Sequence, residues 1–218
     1  MTGPLGAAAI LALAYLLGAI PFGIVAGRIA GGVDLRQHGS GRTGATNTLR
    51  TLGPAWAGAV LLLDVGKGVA AIVLARLLYQ PDGFLAVEWI AAAAGLAAVA
   101  GHNWSVFIGF RGGRGVATTG GGLLALTPLT VVALIPLMLV AIWRTRFVSV
   151  GSLAGGLLAP ATAAVFAALG LTGWAAVGYA GAAGLLVIAS HRDNIARLRA
   201  GTERRIGEKV VVSTHAQR

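Results

Sequence analysis

GVATTGGGLLALTPLTVVALIPLMLVAIW, residues 115–143, is the apolar stretch on which the fold prediction depends. One helix crosses the hydrocarbon core of a bilayer in about 20 residues, and whether this stretch crosses once or twice decides the number of spans. A single crossing would put Arg144, Arg146 and the basic C-terminal segment outside, whereas two crossings put them inside. Lys and Arg concentrate in cytoplasmic loops. We therefore predict two short helices with a break at Thr127-Pro128, because the residue before a proline is disfavoured in a helix.

The rest of the chain contains four more apolar stretches, which are residues 4–27, 55–80, 84–101 and 147–190. The last would form a helix of about 66 Å at 1.5 Å per residue, against a hydrocarbon core of about 30 Å. A turn at 169–173 divides it into two helices. The sequence therefore predicts an all-α integral membrane protein with seven transmembrane helices, two of them short.

Basic residues set the orientation of these helices. Four arginines follow the first span and none precedes it: Arg28, Arg36, Arg42 and Arg50. The positive-inside rule then puts the N-terminus outside and the C-terminus in the cytoplasm. We expect residues 1–206 to form a single polytopic domain and residues 207–218 to form a cytoplasmic tail.

The composition agrees with a membrane protein and excludes several functions. Hydrophobic residues make up 56% of the chain and charged residues 11%, whereas soluble domains carry about 25% charged residues. The net charge of +10 comes from loops between apolar spans rather than from a basic patch with interleaved aromatics, so we expect no nucleic-acid binding. The chain has no cysteine and its four histidines lack the spacing of zinc ligands, so we expect no metal.

The first polar cluster is GSGRTGATN, residues 39–47, followed by Arg50. Small residues, hydroxyls, an amide and guanidinium groups can aim N–H and O–H donors at an oxyanion. The loop is not a Walker A loop, because Ala45 follows Gly44 where that motif has Lys-Ser/Thr. A flexible connector between two spans is the alternative interpretation of this segment alone.

The second cluster is FRGGRGVAT, residues 110–118, which follows Gly101-His102. Arg111 and Arg114 can bind phosphate through their guanidinium forks. Glycines let the backbone approach an anion, and a helix that begins near Gly115 would add its positive end. An ordinary positive-inside loop is the alternative, and the glycines between the arginines favour anion binding.

The third cluster is HRDNIARLRAGTE, residues 191–203. Continuation of the last helix would put His191 and Asn194 on one face, three residues apart. Gly201 is a plausible helix C-cap. A basic tail at the membrane surface would explain the arginines but not the His/Asn pair or Glu203.

Asp64 and Lys67 lie inside the second span. Ionisable groups within a span face a partner or a cavity. At this spacing the two can pair with each other, and the alternative is that Lys67 reaches a substrate phosphate.

Together these segments resemble the three signatures of the bacterial acyl-phosphate:glycerol-3-phosphate acyltransferases, the PlsY family. The matching positions are Ser40-Gly41-x-x-Gly44-Ala45-Thr46-Asn47-x-x-Arg50, then Gly101-His102 with Phe107-x-x-Phe110-x-Gly112-Gly113-x-Gly115-Val116-Ala117-Thr118, then His191-x-x-Asn194-Ile195-x-Arg197-Leu198 with Gly201-x-Glu203, and Asp64-x-x-Lys67-Gly68. The resemblance runs from about residue 10 to residue 206. It implies seven membrane helices in the bacterial cytoplasmic (inner) membrane and an active site on the cytoplasmic face.

The resemblance also implies a reaction. A fatty acyl group moves from acyl phosphate to the 1-hydroxyl of glycerol 3-phosphate, giving lysophosphatidic acid and inorganic phosphate, the first acylation of phospholipid synthesis. The expected partners are these two substrates and membrane lipids, and no cofactor is expected. The chain lacks the His-x4-Asp pair of other glycerolipid acyltransferases, since Thr43, Phe107 and Ala196 occupy the positions where that Asp would stand.

The resemblance assigns expected roles to individual residues. Those expected to be catalytic are Ser40, Arg50, His191 and Asn194. Those expected to bind phosphate or substrate are Gly44, Thr46, Asn47, Lys67, His102, Arg111, Gly112, Gly113, Arg114 and Gly115. Those expected to be structural are Asp64 and Glu203. His191 is either a general base or only a ligand, with the acyl phosphate's own oxygen accepting the hydroxyl proton.

The chain departs from the family pattern at four positions. Arg42 stands where the family usually has Asn, Arg111 and Arg114 where it usually has Lys, and Ser105 where Pro is common. Arginine keeps the charge of lysine and gains a bidentate fork, so phosphate binding is expected to survive. Arg42 puts in doubt a specific hydrogen bond of the family's Asn.

A membrane transporter of an organic phosphate is the alternative function, because the same loops could select an anion. Against it, all three clusters fall on the predicted cytoplasmic side, and no internal repeat is visible.

Overall fold

The computed structural model describes residues 1–83 and 85–208, and all regular secondary structure within them is helical. Two 3-10 turns, Leu35–Gln37 and Val106–Ile108, lie in the loops. The α-helices are α1 Gly3–Ala19, α2 Phe22–Ile29, α3 Ala45–Leu52, α4 Pro54–Leu78, α5 Val87–Asn103, α6 Val116–Leu126, α7 Pro128–Thr145, α8 Val148–Ala168, α9 Trp174–Ser190 and α10 Arg192–Arg199. Residue 84, where the third span was predicted to begin, and residues 209–218 of the predicted tail lie outside the described residues.

Five helical segments are long and apolar enough to cross a membrane: Gly3–Ile29, Pro54–Leu78, Val87–Ile108, Pro128–Thr145 and Val148–Ala168. A sixth candidate joins α9 to α10 across a 55° bend, and α6 is a shorter apolar helix. Large apolar side chains on these helices point outward. On α7, Val132, Leu139 and Trp143 are 67%, 59% and 72% exposed. Such contiguous apolar surface is what a lipid-facing helix presents.

The predicted break between α6 and α7 is confirmed, because α6 ends at Leu126 and α7 begins at Pro128. The last carbonyls of α6 find partners outside the helix. Arg76 Nη1 donates to Ala125 O at 3.0 Å, and Thr172 Oγ1 donates to Leu126 O at 3.1 Å. Arg76 also binds Glu88 at 2.7 Å. Side chains from α4 and from the loop before α9 therefore cap the end of α6.

The turn predicted at 169–173 is confirmed, since α8 ends at Ala168 and α9 begins at Trp174. The first span differs from the prediction of one continuous helix over residues 4–27. It is broken between Ala19 and Phe22, because Pro21 follows Ile20 and disfavours helical geometry there.

The helices pack closely through small residues, as membrane helices do. A Cβ atom on Gly18 of α1 would collide with the backbone of Ala98 in α5, and one on Gly68 of α4 would collide with Thr118 O in α6. The contact at Gly68 fixes the first turn of α6 against α4. That turn begins at the cavity described below.

The predicted pairing of Asp64 with Lys67 is confirmed. Lys67 Nζ lies 2.8 Å from Asp64 Oδ1 and donates to Ile20 O at 3.1 Å, so it joins α4 to the break after α1. Both side chains are buried at 2% exposure. Asp64 Oδ1 also lies 3.4 Å from His102 Nδ1, which extends the contact to α5.

Candidate active site

One cavity of about 380 Å³ collects residues from all three polar clusters. It lies where the loop before α3, the N-terminus of α6, the start of α8 and the α9–α10 bend meet. Of the residues predicted from sequence, its lining includes Ser40, Gly44, Thr46, Asn47, Arg50, Asp64, His102, Arg114, Gly115, His191, Asn194 and Glu203. Four predicted residues are not in the lining: Lys67, Arg111, Gly112 and Gly113.

Asn47 organises the loop that precedes α3. Its side-chain Nδ2 donates to the backbone oxygens of Leu35, His38 and Arg42 at 2.8–3.1 Å, and its Oδ1 accepts from Ser40 N at 2.9 Å. The residue is 2% exposed. One amide therefore ties together a loop that has no other regular structure after its 3-10 turn. This geometry makes the loop a fixed wall of the cavity rather than a flexible connector.

Gly112 and Gly113 dock the second loop against the end of α5. Their backbone N–H groups donate to Asn103 O and His102 O at 3.1 and 3.0 Å. A Cβ on Gly113 would collide with the His102 ring. These N–H groups are already occupied, so the two glycines position Arg114 rather than offer donors of their own.

Arg114 brings a half-buried guanidinium to the cavity. Its Nε is buried and has no hydrogen-bond partner among the described residues. Burial, followed by the positive charges of Arg42 and Arg197, lowers the Arg114 pKa to about 10. The group is therefore still charged at neutral pH. It lies beside Gly115, whose left-handed backbone (φ 75°) precedes the first turn of α6.

Arg111 faces a different cavity. That cavity has a volume of about 470 Å³ and is lined by Asp34, Arg36, Gln37, Gly41 and Arg111. The sequence predicted that Arg111 and Arg114 act together, but the bend at Gly112 and Gly113 sends their side chains to separate places.

His191 presents one ring nitrogen to the cavity. Its Nδ1 lies 2.7 Å from Val187 O, and a carbonyl oxygen can only accept, so Nδ1 carries the proton and Nε2 is an acceptor. Burial, with the charges of Arg114 and Arg42, lowers the His191 pKa to about 4, although the bond to Val187 acts the other way. The ring is therefore neutral at physiological pH.

The predicted continuous helix through His191 is wrong, because α9 ends at Ser190 and α10 begins at Arg192 after the 55° bend. The bend still leaves His191 and Asn194 on the same cavity. Asn194 Nδ2 donates to Glu203 Oε1 at 2.5 Å, and the buried Asn194 Oδ1 has no partner among the described residues. Asn194 thus offers a second acceptor beside His191 Nε2.

Glu203 holds three elements together. It accepts from Ser149 Oγ of α8 at 2.9 Å, from Asn194 and from Arg197 Nε at 2.8 Å. Burial acts to raise its pKa, but these hydrogen bonds outweigh burial and lower it, so the carboxylate stays ionised. Both of its oxygens accept hydrogen bonds from the protein, which fits the structural role expected for it.

The rest of the cavity wall is mostly apolar and was not predicted from sequence. Leu61 of α4, Met138 and Ile142 of α7 and Val148 of α8 line it. Ser149 of the lining was missed as well, and so was Asp193, which pairs with Arg42 of the lining, since an isolated Ser in a span and an Asp among arginines carry no motif. Among the described residues, no three His, Asp or Glu side chains are grouped in a way that could hold a metal ion.

Known proteins are similar to this chain in both sequence and fold. The family model described as glycerol-3-phosphate acyltransferase matches residues 8–201. A glycerol-3-phosphate acyltransferase of Halalkalibacterium halodurans is 47% identical over 89% of this chain and 93% of its own length. Glycerol-3-phosphate acyltransferase 1 of Deinococcus radiodurans is 47% identical over 92% of this chain and 96% of its own.

Two crystal structures of PlsY, an integral membrane glycerol 3-phosphate acyltransferase, have the same fold. The glycerol 3-phosphate form has a TM-score of 0.80 and 36% identity, and covers 92% of this chain and 96% of that one. The lysophosphatidic acid form has a TM-score of 0.79 and 35% identity, with coverage of 93% and 96%. This chain is an integral membrane protein that belongs to the glycerol-3-phosphate acyltransferase family.

Proposed function

We propose that this protein transfers a fatty acyl group from acyl phosphate to the 1-hydroxyl of glycerol 3-phosphate. The products are lysophosphatidic acid and inorganic phosphate, and the step is the first acylation of phospholipid synthesis. The observation that carries the proposal is that one cavity contains an unpartnered buried donor, Arg114 Nε, and an unpartnered buried acceptor, Asn194 Oδ1. A phosphate monoester that also carries hydroxyls satisfies both groups.

Phosphate binding falls to the cations and hydroxyls of the cavity. Arg114 and Arg50 are charged, and Ser40 and Thr46 add hydroxyl donors from the loop that Asn47 holds in place. Burial, followed by the charge of Arg204, lowers the Arg50 pKa, so Arg50 as well as Arg114 gains from a bound anion. Two separate, half-buried guanidinium groups suit two phosphate-bearing substrates.

The glycerol hydroxyls meet the two acceptors. His191 Nε2 and Asn194 Oδ1 both accept, so each can take a hydrogen bond from an alcohol. A hydroxyl fixed by such bonds is oriented for attack, which is a positioning effect rather than a covalent one.

The apolar side of the cavity suits the fatty chain of the acyl donor. Leu61, Met138 and Ile142 form an apolar side of the cavity next to the lipid-facing helix α7, where a fatty chain can enter from the bilayer. Phosphate is a good leaving group, so an acyl phosphate needs no enzyme nucleophile and no His–Asp relay. The cations around the cavity stabilise the negative charge that builds on the departing phosphate.

The chemical step is a single displacement at the acyl carbonyl carbon. The 1-hydroxyl oxygen forms the new ester bond, the bond from carbon to the phosphate oxygen breaks, and the phosphate leaves with the electron pair. The hydroxyl proton passes to an oxygen of the leaving phosphate. His191, whose pKa of about 4 makes it a weak base, orients the hydroxyl through Nε2.

The proposed topology has seven crossings, with the N-terminus outside and the cavity and C-terminus on the cytoplasmic side of the bacterial inner membrane. Support comes from the far end of α6, which Arg76 caps. Arg76 also pairs with Glu88 in the first turn of α5, so α6 ends on the side where α5 begins, which the topology puts outside. Because the chain has no cysteine, single cysteines at Leu171 and Arg144 can be labelled separately. An impermeant maleimide added outside intact cells is expected to label position 171 only, and labelling of 144 contradicts the topology.

The reaction is tested on the purified protein in detergent with glycerol 3-phosphate and palmitoyl phosphate. We expect phosphate release that requires both substrates, together with one equivalent of lysophosphatidic acid. Hydrolysis that ignores glycerol 3-phosphate, or no release at all, contradicts the proposal and favours transport of an organic phosphate.

A further inference from the structure

Arg42 and Asp193 form an ion pair between the first and third clusters. Arg42 Nη2 lies 3.0 Å from Asp193 Oδ2, although 151 residues separate them in sequence. Arg42 belongs to the loop held by Asn47, and Asp193 lies in the first turn of α10, next to Asn194. The pair is the one direct side-chain bond between that loop and α10 within the described residues.

Only part of the Arg42 guanidinium is used by this contact. Nη2 alone has a hydrogen-bond partner in the described part of the chain, and Arg42 is in the cavity lining. Arg114 lines the same cavity, and after burial the positive charge of Arg42 is the next cause of the lowered Arg114 pKa, so the two guanidinium groups face one site and act on each other. Two neighbouring cations of this kind repel each other until a phosphate binds between them.

Asp193 offsets that repulsion in the empty site. The hydrogen bond from Arg42 is the main cause of the lowered Asp193 pKa, so the carboxylate stays charged. Its side chain is 45% exposed and that of Arg42 is 29% exposed. An ion pair this exposed contributes little to the free energy of folding, so little free energy is needed to break it when a phosphate binds Arg42 more strongly.

We propose that Arg42 is a ligand of a substrate phosphate and that Asp193 is a positioning residue, which holds Arg42 at the mouth of the cavity until that phosphate replaces it. The proposal rests on the proposed function. It differs from a purely structural pairing, in which Arg42 and Asp193 matter only because they join the loop to α10.

The two roles predict opposite effects of removing each partner. Arg42→Gln removes the phosphate ligand, so we expect the KM of one substrate to rise about tenfold while kcat changes little. Asp193→Asn removes the carboxylate that competes with the phosphate for Arg42, so we expect the KM of that same substrate to fall about threefold at low salt. The difference in KM between Asp193→Asn and the wild type is expected to shrink at high salt. Separate titrations of glycerol 3-phosphate and palmitoyl phosphate identify which phosphate is bound.

Arg36→Gln is the matched control. Arg36 also pairs with an aspartate, Asp34, at 2.7 Å in the same loop, but it faces the other cavity. We expect its KM values to stay within twofold of the wild type. A tenfold rise in this control would show that any arginine of the loop has the effect, and would overturn the assignment to Arg42.

The exchanged variant Arg42→Asp/Asp193→Arg keeps an ion pair between the loop and α10, but its cation now lies on α10 instead of the loop. We expect it to retain the low affinity of Arg42→Gln, and recovery of the wild-type KM would make the pair purely structural and overturn the proposal. Binding of inorganic phosphate by calorimetry, which needs no turnover, is expected to weaken in Arg42→Gln and tighten in Asp193→Asn. A wild type that releases no phosphate but shows these binding changes would refute the reaction and leave the Arg42 site intact.

Discussion

His191 Nδ1 donates to Val187 O at 2.7 Å, one turn earlier in α9, and this bond determines which ring nitrogen faces the cavity. The bond fixes the tautomer with Nε2 as acceptor. Because burial and two nearby arginines lower the His191 pKa to about 4, the ring accepts a hydrogen bond but holds a proton weakly. A neutral, oriented acceptor of this kind suits a ligand for an alcohol better than a general base.

The role of His191 is tested by His191→Gln, whose side-chain oxygen can still accept a hydrogen bond. We expect kcat to fall by less than about tenfold, and the dependence of kcat on pH between 6 and 8 to parallel the wild type. An ionisation near neutral pH that is present in the wild type and absent in the variant would make His191 the base.

The pKa of His191 also predicts how stability depends on pH. Its folded-state value of about 4 lies below the ordinary value of 6.5, so the unfolded chain takes up the proton first as pH falls. The His191 contribution to stability is therefore complete above pH 6.5 and is lost as pH falls toward 4. The melting temperature of the wild type in detergent is expected to decrease over this range more than that of His191→Gln.

Gly113 should be intolerant of any side chain because of the His102 ring behind it. We expect Gly113→Ala to lower kcat/KM by at least about 100-fold, since a displaced loop moves Arg114. In a double-mutant cycle with His102→Ala, the added cost of Gly113→Ala is expected to be much smaller. Gly120→Ala is the control, because a Cβ there meets nothing within 4 Å. Additive costs for Gly113 and His102 would mean that they do not act through one contact.

Lys67 tests the difference between a structural cation and a substrate ligand. Lys67→Met removes the lysine partner of the buried Asp64 carboxylate and leaves only His102 beside it, and breaking a buried ion pair typically costs about 3–5 kcal/mol. We expect a much lower melting temperature for Lys67→Met and a recovery for Asp64→Asn/Lys67→Met. The KM for both substrates is expected to stay near the wild-type value in any variant that remains folded. A raised KM with an unchanged melting temperature would instead make Lys67 a phosphate ligand.

Local sequence signals were sufficient for the helix breaks and for the grouping of the clusters. Pro128 and the turn at 169–173 mark breaks that the structure confirms. Charge bias placed all three clusters on one side, and they do line one cavity. Turn residues act locally, and charge bias is a sum over the loops, so neither prediction depends on how the helices pack.

Side-chain direction was not predictable in the same way. The sequence suggested that Asn47 and the glycines offer donors to an anion, but their groups bind the protein's own backbone. Asp193 carries no motif, yet it pairs with Arg42, which lies 151 residues earlier in the chain. Such pairings depend on contacts between residues far apart in sequence, which spacing alone does not encode.

Arg111 and Arg114 also show that the sequence does not predict side-chain direction, and they allow two arginines of one loop to be compared directly. The sequence treats them as equivalent, whereas the structure puts Arg114 in the cavity with His191 and Arg111 in another. Arg114→Gln is expected to raise the KM of a phosphate substrate by about tenfold or more, because it removes a buried charge–charge contact. Arg111→Gln is expected to change both KM values by less than about threefold, through long-range attraction that salt screens.

The comparison is made at two salt concentrations, with Arg114→Lys as the conservative variant. A buried contact is weakly screened, so the loss in Arg114→Gln should persist in high salt, and Arg114→Lys should recover part of it because the charge is kept. Equal losses for Arg111→Gln and Arg114→Gln would mean that both guanidinium groups reach the substrate. In that case the loop held by Gly112 and Gly113 would have to move when the substrate binds, because the two side chains lie in separate cavities without it.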